Sequence, residues 1–212
     1  METTDKKIYG LSGLMLQLAG ITLLFLNIVF TPQVLAIESY ADMVVSNAYA
    51  WRLGFSCLTV LVLILASPGV YQLYCQKTGQ HIKGIILLMA LLIGNSFLLA
   101  HEWNQFLFIR ELGISFPDTL EQLNELEGFS LYDLSAIIGI SLFFLGWVVS
   151  AILLWKAQIL NGYVTLLILI GLVASPLLAT IIPLVYAGMV SSLLLGSGWF
   201  LLGQKLVRLK RP

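Results

Sequence analysis

Long apolar segments separated by short polar ones dominate this sequence. Each apolar segment has about 17–25 residues, enough for a helix to cross a hydrocarbon core of about 30 Å. Helices are expected because backbone groups exposed to lipid must be hydrogen bonded within their own segment. The predicted spans are 8–30, 53–74, 84–100, 132–155, 160–182 and 184–206. The sequence therefore predicts an all-α polytopic membrane protein with six transmembrane helices, in a single bundle over residues 1–212.

Charged residues sort by connection when the connections are numbered alternately. One side holds most of the basic residues: Lys6, Lys7, Lys77, Lys83, Lys156, Lys205, Arg208, Lys210 and Arg211. The other side holds only Arg52 and Arg110, together with most of the acids: Glu38, Asp42, Glu102, Glu111, Asp118, Glu121, Glu125, Glu127 and Asp133. An excess of Lys and Arg marks the cytoplasmic side, so both termini are predicted to lie inside the cell.

Composition supports the membrane class and narrows the partners. The chain is 59% hydrophobic and 10% charged, which is outside the range of soluble domains. The bilayer is the expected partner, and nucleic acid is excluded because the basic residues are divided among short loops and a tail. Lys6, Lys7 and the apolar segment after them resemble a signal peptide, but that segment exceeds the usual core of about 7–15 residues. An uncleaved first span in the cytoplasmic membrane is expected.

The second outer connection is predicted to carry a short amphipathic helix over residues 115–128. Asp118 with Glu121 three residues later has the spacing of a helix start, and Gly128 closes the segment. Leucines repeat on one side, so we expect this helix to lie at the outer membrane surface. Glu121 and Glu125 are then a solvated face, or alternatively a weak cation or partner site.

Two prolines suggest an internal repeat. Pro68 and Pro176 lie at similar depths in the second and fifth spans, and both are predicted to break their helices. The first and fourth spans share a glycine spacing of seven: Gly13 and Gly20, Gly139 and Gly146. A 3+3 inverted repeat, as in several transporter folds, would give this pattern, and so would chance similarity between apolar segments.

Small residues recur at intervals of four on the sixth span, at Gly188, Ser192 and Gly196. Such rows let helix backbones approach closely. We expect them to pack the sixth helix against the fifth; the alternative is a homo-oligomer interface or a contact with a partner membrane protein.

No catalytic, metal or cofactor motif is found. Cys57 and Cys75 are about 27 Å apart along one helix, too far for a disulfide. His81 and His101 lie on opposite sides of the membrane and cannot share a metal or haem. Neither a cofactor nor a metal is predicted, and no residue is assigned a catalytic role.

Ionisable groups are missing from the middle of every predicted span and gather at the outer rim. This lowers the expectation of a proton-coupled carrier, which would keep such groups inside the membrane. The candidate ligand-binding residues are Arg52, His101 and Glu102 at this rim, with Asp42 and the mid-span Asn95. A structural alternative is that Arg52 extends toward the interface and the acids solvate the rim.

Three short segments resemble a family of bacterial six-helix integral-membrane proteins classed as a domain of unknown function. They are Asp42 followed by Trp-Arg-Leu-Gly at 51–54, Leu-Gly-Trp at 145–147 and Ile-Leu-Asn-Gly at 159–162. The chain departs from that family where a proline usually precedes the Leu-Gly that enters the fifth helix. The resemblance implies a bacterial cytoplasmic membrane and six spans, gives weight to Asp42 and Arg52 as an outer pair, and supplies no catalytic residue.

Three functions remain open. The protein could bind or move a small or lipid-like molecule, in which case a cavity should lie between Pro68 and Pro176. As an accessory or assembly subunit, it should expose the Gly188–Ser192–Gly196 row to lipid. As an outer-leaflet enzyme, it should bring Arg52, His101 and Glu102 within hydrogen-bond distance in a cleft.

Overall fold

The computed structural model describes residues 3–125 and 131–209, with side chains for residues 7–123 and 133–209. Within these ranges the chain is helical and contains no strand, which confirms the all-α prediction. The long helices are α1 (Thr3–Phe25), α4 (Asn47–Thr78), α5 (His81–Asn104), α8 (Leu131–Lys156), α9 (Gly162–Leu178) and α10 (Leu184–Leu209). The short helices are α2 (Thr31–Leu35), α3 (Tyr40–Val45), α6 (Arg110–Ser115) and α7 (Pro117–Glu125). Two π-helical segments, Leu26–Phe30 and Gln105–Ile109, join α1 to α2 and α5 to α6.

Five helical segments are long and apolar enough to cross a membrane, namely residues 7–35, 47–78, 81–115, 133–156 and 184–209. The fifth predicted span is shorter than expected, because α9 has 17 residues, a length of about 26 Å. The helix begins at Gly162 because the Asn161 side chain accepts a hydrogen bond from the Val164 amide at 2.9 Å, as an N-cap. It ends at Leu178, where Pro176 has removed a hydrogen bond in the last turn.

The predicted break at Pro68 is corrected by the structure, because α4 continues through this residue to Thr78. Pro68 is exposed on the outside of the bundle, while its neighbours Ser67 and Gly69 are buried. The Ser67 hydroxyl donates to the Leu63 carbonyl at 2.9 Å, and such local bonds help a membrane helix to tolerate proline. Pro176 lies in the last turn of α9, so it does not separate two halves of a helix either.

The six long helices pack in chain order around one hydrophobic core, and α10 closes the arrangement by packing against α1. The α1–α10 and α5–α8 contacts are the most extensive, and α8–α9 is the least extensive contact between consecutive long helices. Trp147 of α8 and Trp199 of α10 are fully buried at the centre, with ring centroids 5.1 Å apart. Consecutive helices are therefore neighbours, as short connections require.

In the small-residue row of α10, Ser192 and Gly196 are buried and Gly188 is half-buried, but the row faces α1 and the π-helical segment after it rather than the fifth helix. A Cβ added to Gly196 would lie 2.8 Å from the Gly20 carbonyl oxygen, and one added to Gly13 would lie 2.6 Å from that of Gly203. Gly188 faces the Asn27 side chain, and the Ser192 hydroxyl bonds within its own helix. Glycines on both helices allow this antiparallel backbone contact.

The α9–α10 contact uses a different face of α10. The Ser191 hydroxyl donates to the Gly171 carbonyl at 2.6 Å, and Gly198 packs against Ile168. The contact between the fifth and sixth helices therefore runs through Ser191, which faces Gly171, and Gly198, which faces Ile168, instead of through the predicted row on α10.

A second glycine-lined seam joins α5 to α8. A Cβ added to Gly94 would lie 2.5 Å from the Leu142 carbonyl oxygen, and one added to Gly139 would lie 3.3 Å from that of Phe97. Gly146 packs directly against Ala90. The glycine pairs spaced by seven, noticed in the first and fourth spans, therefore occupy the α1–α10 and α5–α8 seams respectively.

The four short helices form a cap over one end of the bundle, at the start of α4 and beyond the end of α5. The cap has its own apolar cluster, composed of Val34, Val44, Tyr49, Leu53 and Leu120. The predicted amphipathic helix is present as α7, and residues 126–130, including Gly128, lie outside the described residues. Since α7 begins at Pro117, Asp118 lies in its first turn rather than at the N-cap position. Leu120 is buried against the cap, while Leu123 is exposed.

Charged side chains hold α3 at both ends. The Glu121 carboxylate accepts hydrogen bonds from the Ala41 amide at 2.8 Å and the Tyr40 amide at 3.4 Å. The Arg110 guanidinium donates to the Val45 carbonyl at 3.2 Å. Both charges complement the helix dipole. Glu121 therefore joins α7 to α3, which corrects its assignment to a solvated face. The Glu125 side chain lies outside the described residues.

Tyr40 lies at the start of α3, in the cap. Burial, and secondarily the nearby Asp133 carboxylate, raises the pKa of this phenol above its ordinary value. Tyr40 therefore stays neutral at physiological pH.

Candidate functional site

A groove lies between α4 and α5 in the half of the bundle nearest the cap. Its volume is about 600 Å³, and it is lined by Gly54, Cys57, Leu58, Leu61, Ser96, Leu99, Ala100 and Trp103. We call this the α4–α5 groove. Nearly all of its lining is apolar. Leu58, Leu61 and Trp103 are 38%, 45% and 51% exposed, so the groove opens sideways on the outside of the bundle.

Small residues at helical spacing create the groove. On each helix the lining residues follow the pattern i, i+3, i+4, i+7, which places them on one face. Gly54, Ser96 and Ala100 leave space that larger side chains would fill, and a Cβ added to Gly54 would meet no atom within 4 Å. By chain direction, Gly54 and Trp103 mark the end nearest the cap, while Leu61 and Ser96 mark the far end.

A chain of hydrogen bonds crosses the bundle beside the cap-side end of the groove. The Tyr49 hydroxyl donates to Gln105 Oε1 at 2.6 Å, so the Gln105 amide nitrogen faces His101 Nε2, at 2.7 Å. A neutral His101 then carries its hydrogen on Nδ1, which lies 3.4 Å from Ser135 Oγ. This network joins α4, α5 and α8. His101 is 7% exposed, so the structure places it in a helix-bridging role.

Glu102 points in a different direction from His101. It faces α4, where its charge acts on the Cys57 thiol and the Tyr49 phenol. Its Oε2 atom is buried and has no hydrogen-bond partner among the described residues. Burying a carboxylate oxygen without a partner is costly. Of the predicted rim residues Arg52, His101 and Glu102, Glu102 is the one with a buried side-chain atom that has no hydrogen-bond partner among the described residues.

The predicted rim cluster of Arg52, His101 and Glu102 does not form. Arg52 is half-buried beside Tyr49, and no salt bridge between Arg52 and either Glu102 or Asp42 occurs within the described ranges. Asp42 is exposed, and its backbone amide donates to Ser39 in the N-cap of α3. The side chains of His101 and Glu102 diverge because consecutive residues of a helix point about 100° apart.

Asn95 is a core residue rather than a rim ligand. It is 1% exposed, and its Oδ1 atom accepts a hydrogen bond from the Trp147 indole at 3.3 Å. The Thr59 hydroxyl likewise donates to the Thr22 hydroxyl at 2.7 Å, joining α4 to α1. These polar groups bridge helices, in agreement with the general tendency inside membranes.

The α4–α5 groove was not predicted, and neither proline belongs to it. Pro68 and Pro176 are both exposed and absent from its lining. Cys57 and Cys75 are free thiols, as predicted, and Cys57 lines the groove. The repeated spacing of small residues on the second and third spans is the signal that could have located it.

Within the described ranges, no group of three His, Cys, Asp or Glu side chains could hold a metal ion. Comparison with protein-family models, with curated proteins and with solved structures gives no match for this chain. The family resemblance carried by residues 51–54, 145–147 and 159–162 therefore stays a prediction. The function has to be inferred from the chain's own residues.

Proposed function

We propose that this protein is a six-span protein of the cell membrane, with both termini in the cytoplasm, that binds a lipid chain in the α4–α5 groove. The observation that carries this proposal is the apolar groove itself, open toward the side of the bundle. Its volume of about 600 Å³ lies within the range typical of small-molecule sites, about 300–1,000 Å³.

The physical basis of binding is shape. Inside a bilayer a lipid chain gains little hydrophobic free energy by leaving other chains, because its surroundings are already apolar. Instead, the lipid chain gains dispersion contacts when its shape fits a groove that mobile bilayer lipids would fill only imperfectly. Leu58, Leu61 and Leu99 supply aliphatic walls, and Trp103 supplies an aromatic side near the interface. We expect a resident lipid that exchanges with the bilayer.

The six-span topology is part of the proposal. Five segments have the required length, and α9 can serve as the sixth span because its ends are extended by the turns at 157–161 and 179–183. The sorted charges support cytoplasmic termini. The matched glycine seams, α1–α10 and α5–α8, support the 3+3 inverted repeat, because that repeat relates α1 to α8 and α10 to α5.

The alternative functions have less support. An accessory subunit would use the row Gly188, Ser192 and Gly196 on a lipid-facing surface, but that row is covered by α1. An outer-leaflet enzyme would need Arg52, His101 and Glu102 to converge, and His101 is instead held by Gln105.

Native mass spectrometry of the detergent-purified protein tests lipid binding. A Cβ added at Gly54 meets no atom within 4 Å, so Gly54→Leu should direct its side chain into the groove, and we expect bound lipid to fall several-fold while the fold is kept. Gly162→Leu is the matched control, because a Cβ there also meets no atom within 4 Å and the residue is far from the groove. Equal lipid retention by both variants would refute the groove as the binding site.

Cysteine labelling in intact cells tests the topology separately. Asp118→Cys in α7 should react with a membrane-impermeant maleimide from outside, and Gln80→Cys between α4 and α5 should react only after lysis. Both positions are exposed, whereas the native Cys57 and Cys75 are buried. The reverse labelling pattern would overturn the proposed orientation.

A further inference from the structure

Glu102 suggests which lipids the α4–α5 groove selects. We propose that the groove prefers a lipid with an ammonium group in its headgroup, and that the Glu102 carboxylate binds this group. The inference rests on the proposed function and adds the headgroup chemistry to it.

The position of Glu102 fits this role. Glu102 directly precedes Trp103 and follows Leu99 by three residues on the same helix, and both of these residues line the groove. The carboxylate therefore lies beside the groove at the end nearest the cap. In the proposed orientation this end faces the outer leaflet, where a headgroup would sit above its inserted chain.

The unfilled hydrogen-bonding capacity of Glu102 indicates the chemistry of the ligand. Its buried Oε2 atom has no partner among the described residues, and a buried carboxylate is normally paired with a cation and hydrogen bonded. A primary ammonium supplies a positive charge and three N–H donors in one group. A phosphate or a hydroxyl without positive charge would leave the carboxylate's charge uncompensated.

Within the described ranges, no basic side chain of the protein already pairs with the Glu102 carboxylate. Arg52 and Arg110 are the basic residues on the cap side. The Arg110 side chain is bonded to the Val45 carbonyl, and Arg52 forms no salt bridge with Glu102. Trp103, which lines the groove, is 51% exposed, and indole faces attract ammonium groups. The site thus offers a carboxylate and an exposed indole to a cation that comes from outside the protein.

A competition between two lipids tests the inference. Purified protein is equilibrated with equal amounts of dioleoyl phosphatidylethanolamine and dioleoyl phosphatidylglycerol, and the bound lipids are counted by native mass spectrometry. The two lipids share their acyl chains and phosphate, and they differ in the headgroup alcohol, which carries an ammonium in one lipid and only uncharged hydroxyls in the other. We expect the ethanolamine lipid to be favoured by about tenfold, the effect of one charge-assisted hydrogen bond.

Variants assign the preference to Glu102. Glu102→Gln should bind both lipids equally while total lipid stays near the wild-type level, and Glu102→Asp, which keeps the charge, should retain part of the preference. Glu111→Gln is the matched control, because Glu111 is an exposed acid of α6, and it should keep the full preference.

The outcomes separate the two proposals. No headgroup preference in the wild type, or a preference that survives Glu102→Gln, overturns the inference even if Gly54→Leu still abolishes lipid binding. Failure of the wild type to retain either lipid overturns the proposed function itself. A folded Glu102→Asp protein without any preference would also count against the carboxylate as the acceptor.

Discussion

Two helix seams of this bundle use glycine for opposite purposes. The α1–α10 seam pairs Gly13 with Gly203 and Gly20 with Gly196, so that backbone meets backbone. In the α4–α5 seam, Gly84 packs against Cys75 and Tyr71 at the end far from the cap, but Gly54 near the cap meets nothing within 4 Å. The α1–α10 seam is closed at both of its glycine pairs. The α4–α5 seam is closed at the end far from the cap and open at the end near the cap.

The comparison shows that a glycine alone does not indicate close packing. Small residues on the facing helix are not sufficient either, because α5 presents Ser96 and Ala100 in the groove that Gly54 lines. What matters is whether flanking large side chains hold the helices apart. Beside Gly54, the neighbours Leu58 and Trp103 form walls instead of filling the space. A closed seam serves stability, and an open seam in a membrane offers room for a lipid.

The largest expected effect comes from adding a large side chain to the closed α1–α10 seam. Gly20→Leu would force its side chain into the Gly196 backbone, where an added Cβ already overlaps the carbonyl group. Backbone atoms cannot rotate away, so we expect the free energy of unfolding to fall by about 3 kcal/mol or more. Thermal unfolding of the purified protein in detergent measures this change.

Gly54→Leu is the counterpart in the open seam, with the same change of residue. It should leave the melting temperature unchanged or slightly raised, since glycine within a helix costs about 1 kcal/mol relative to alanine. If the two variants are destabilised equally, the distinction between the closed and the open seam is false.

A smaller effect is expected from the hydrogen-bond network that joins α4 to α5 at the cap-side end of the open seam. Tyr49→Phe removes the hydroxyl that donates to Gln105 Oε1, so the buried amide loses a partner and the α4–α5–α8 network loses one link. We expect a loss of about 1 kcal/mol in the free energy of unfolding, measured by denaturant titration. Tyr163→Phe is the control, because Tyr163 is 65% exposed. An equal change in both variants would show that the network contributes nothing.

For the closed seam the sequence predicted the packing face of α10, whereas the open seam was not predicted. The interval of four between Gly188, Ser192 and Gly196 identifies a packing face, but the same interval fits any neighbouring helix. Only the three-dimensional arrangement selects α1, because that choice depends on which helices close the bundle. Periodicity therefore predicted the face of α10 and not its partner.

The rim residues show a second limit of sequence reasoning. Arg52, His101 and Glu102 were grouped because all lie near one membrane boundary. Their side chains then diverged, since adjacent positions on a helix face different neighbours: His101 faces α8, and Glu102 faces α4. The continuation of α4 through Pro68 has a similar cause, because packing on both sides of a residue outweighs its local preference.

The smallest effect is expected in the cap, which packs against the start of α4 at one end of the open seam. Glu121→Gln keeps the shape of the side chain but removes the charge that meets the α3 N-terminus through the Ala41 amide. We expect a loss of about 0.5 kcal/mol, the usual contribution of an acid at a helix N-terminus, and the loss should shrink as salt is added. Denaturant titration at low and high salt measures it, with Glu111→Gln as the control. If the free energy of unfolding falls by the same amount at both salt concentrations, then the shape of Glu121, and not its charge, joins α7 to α3.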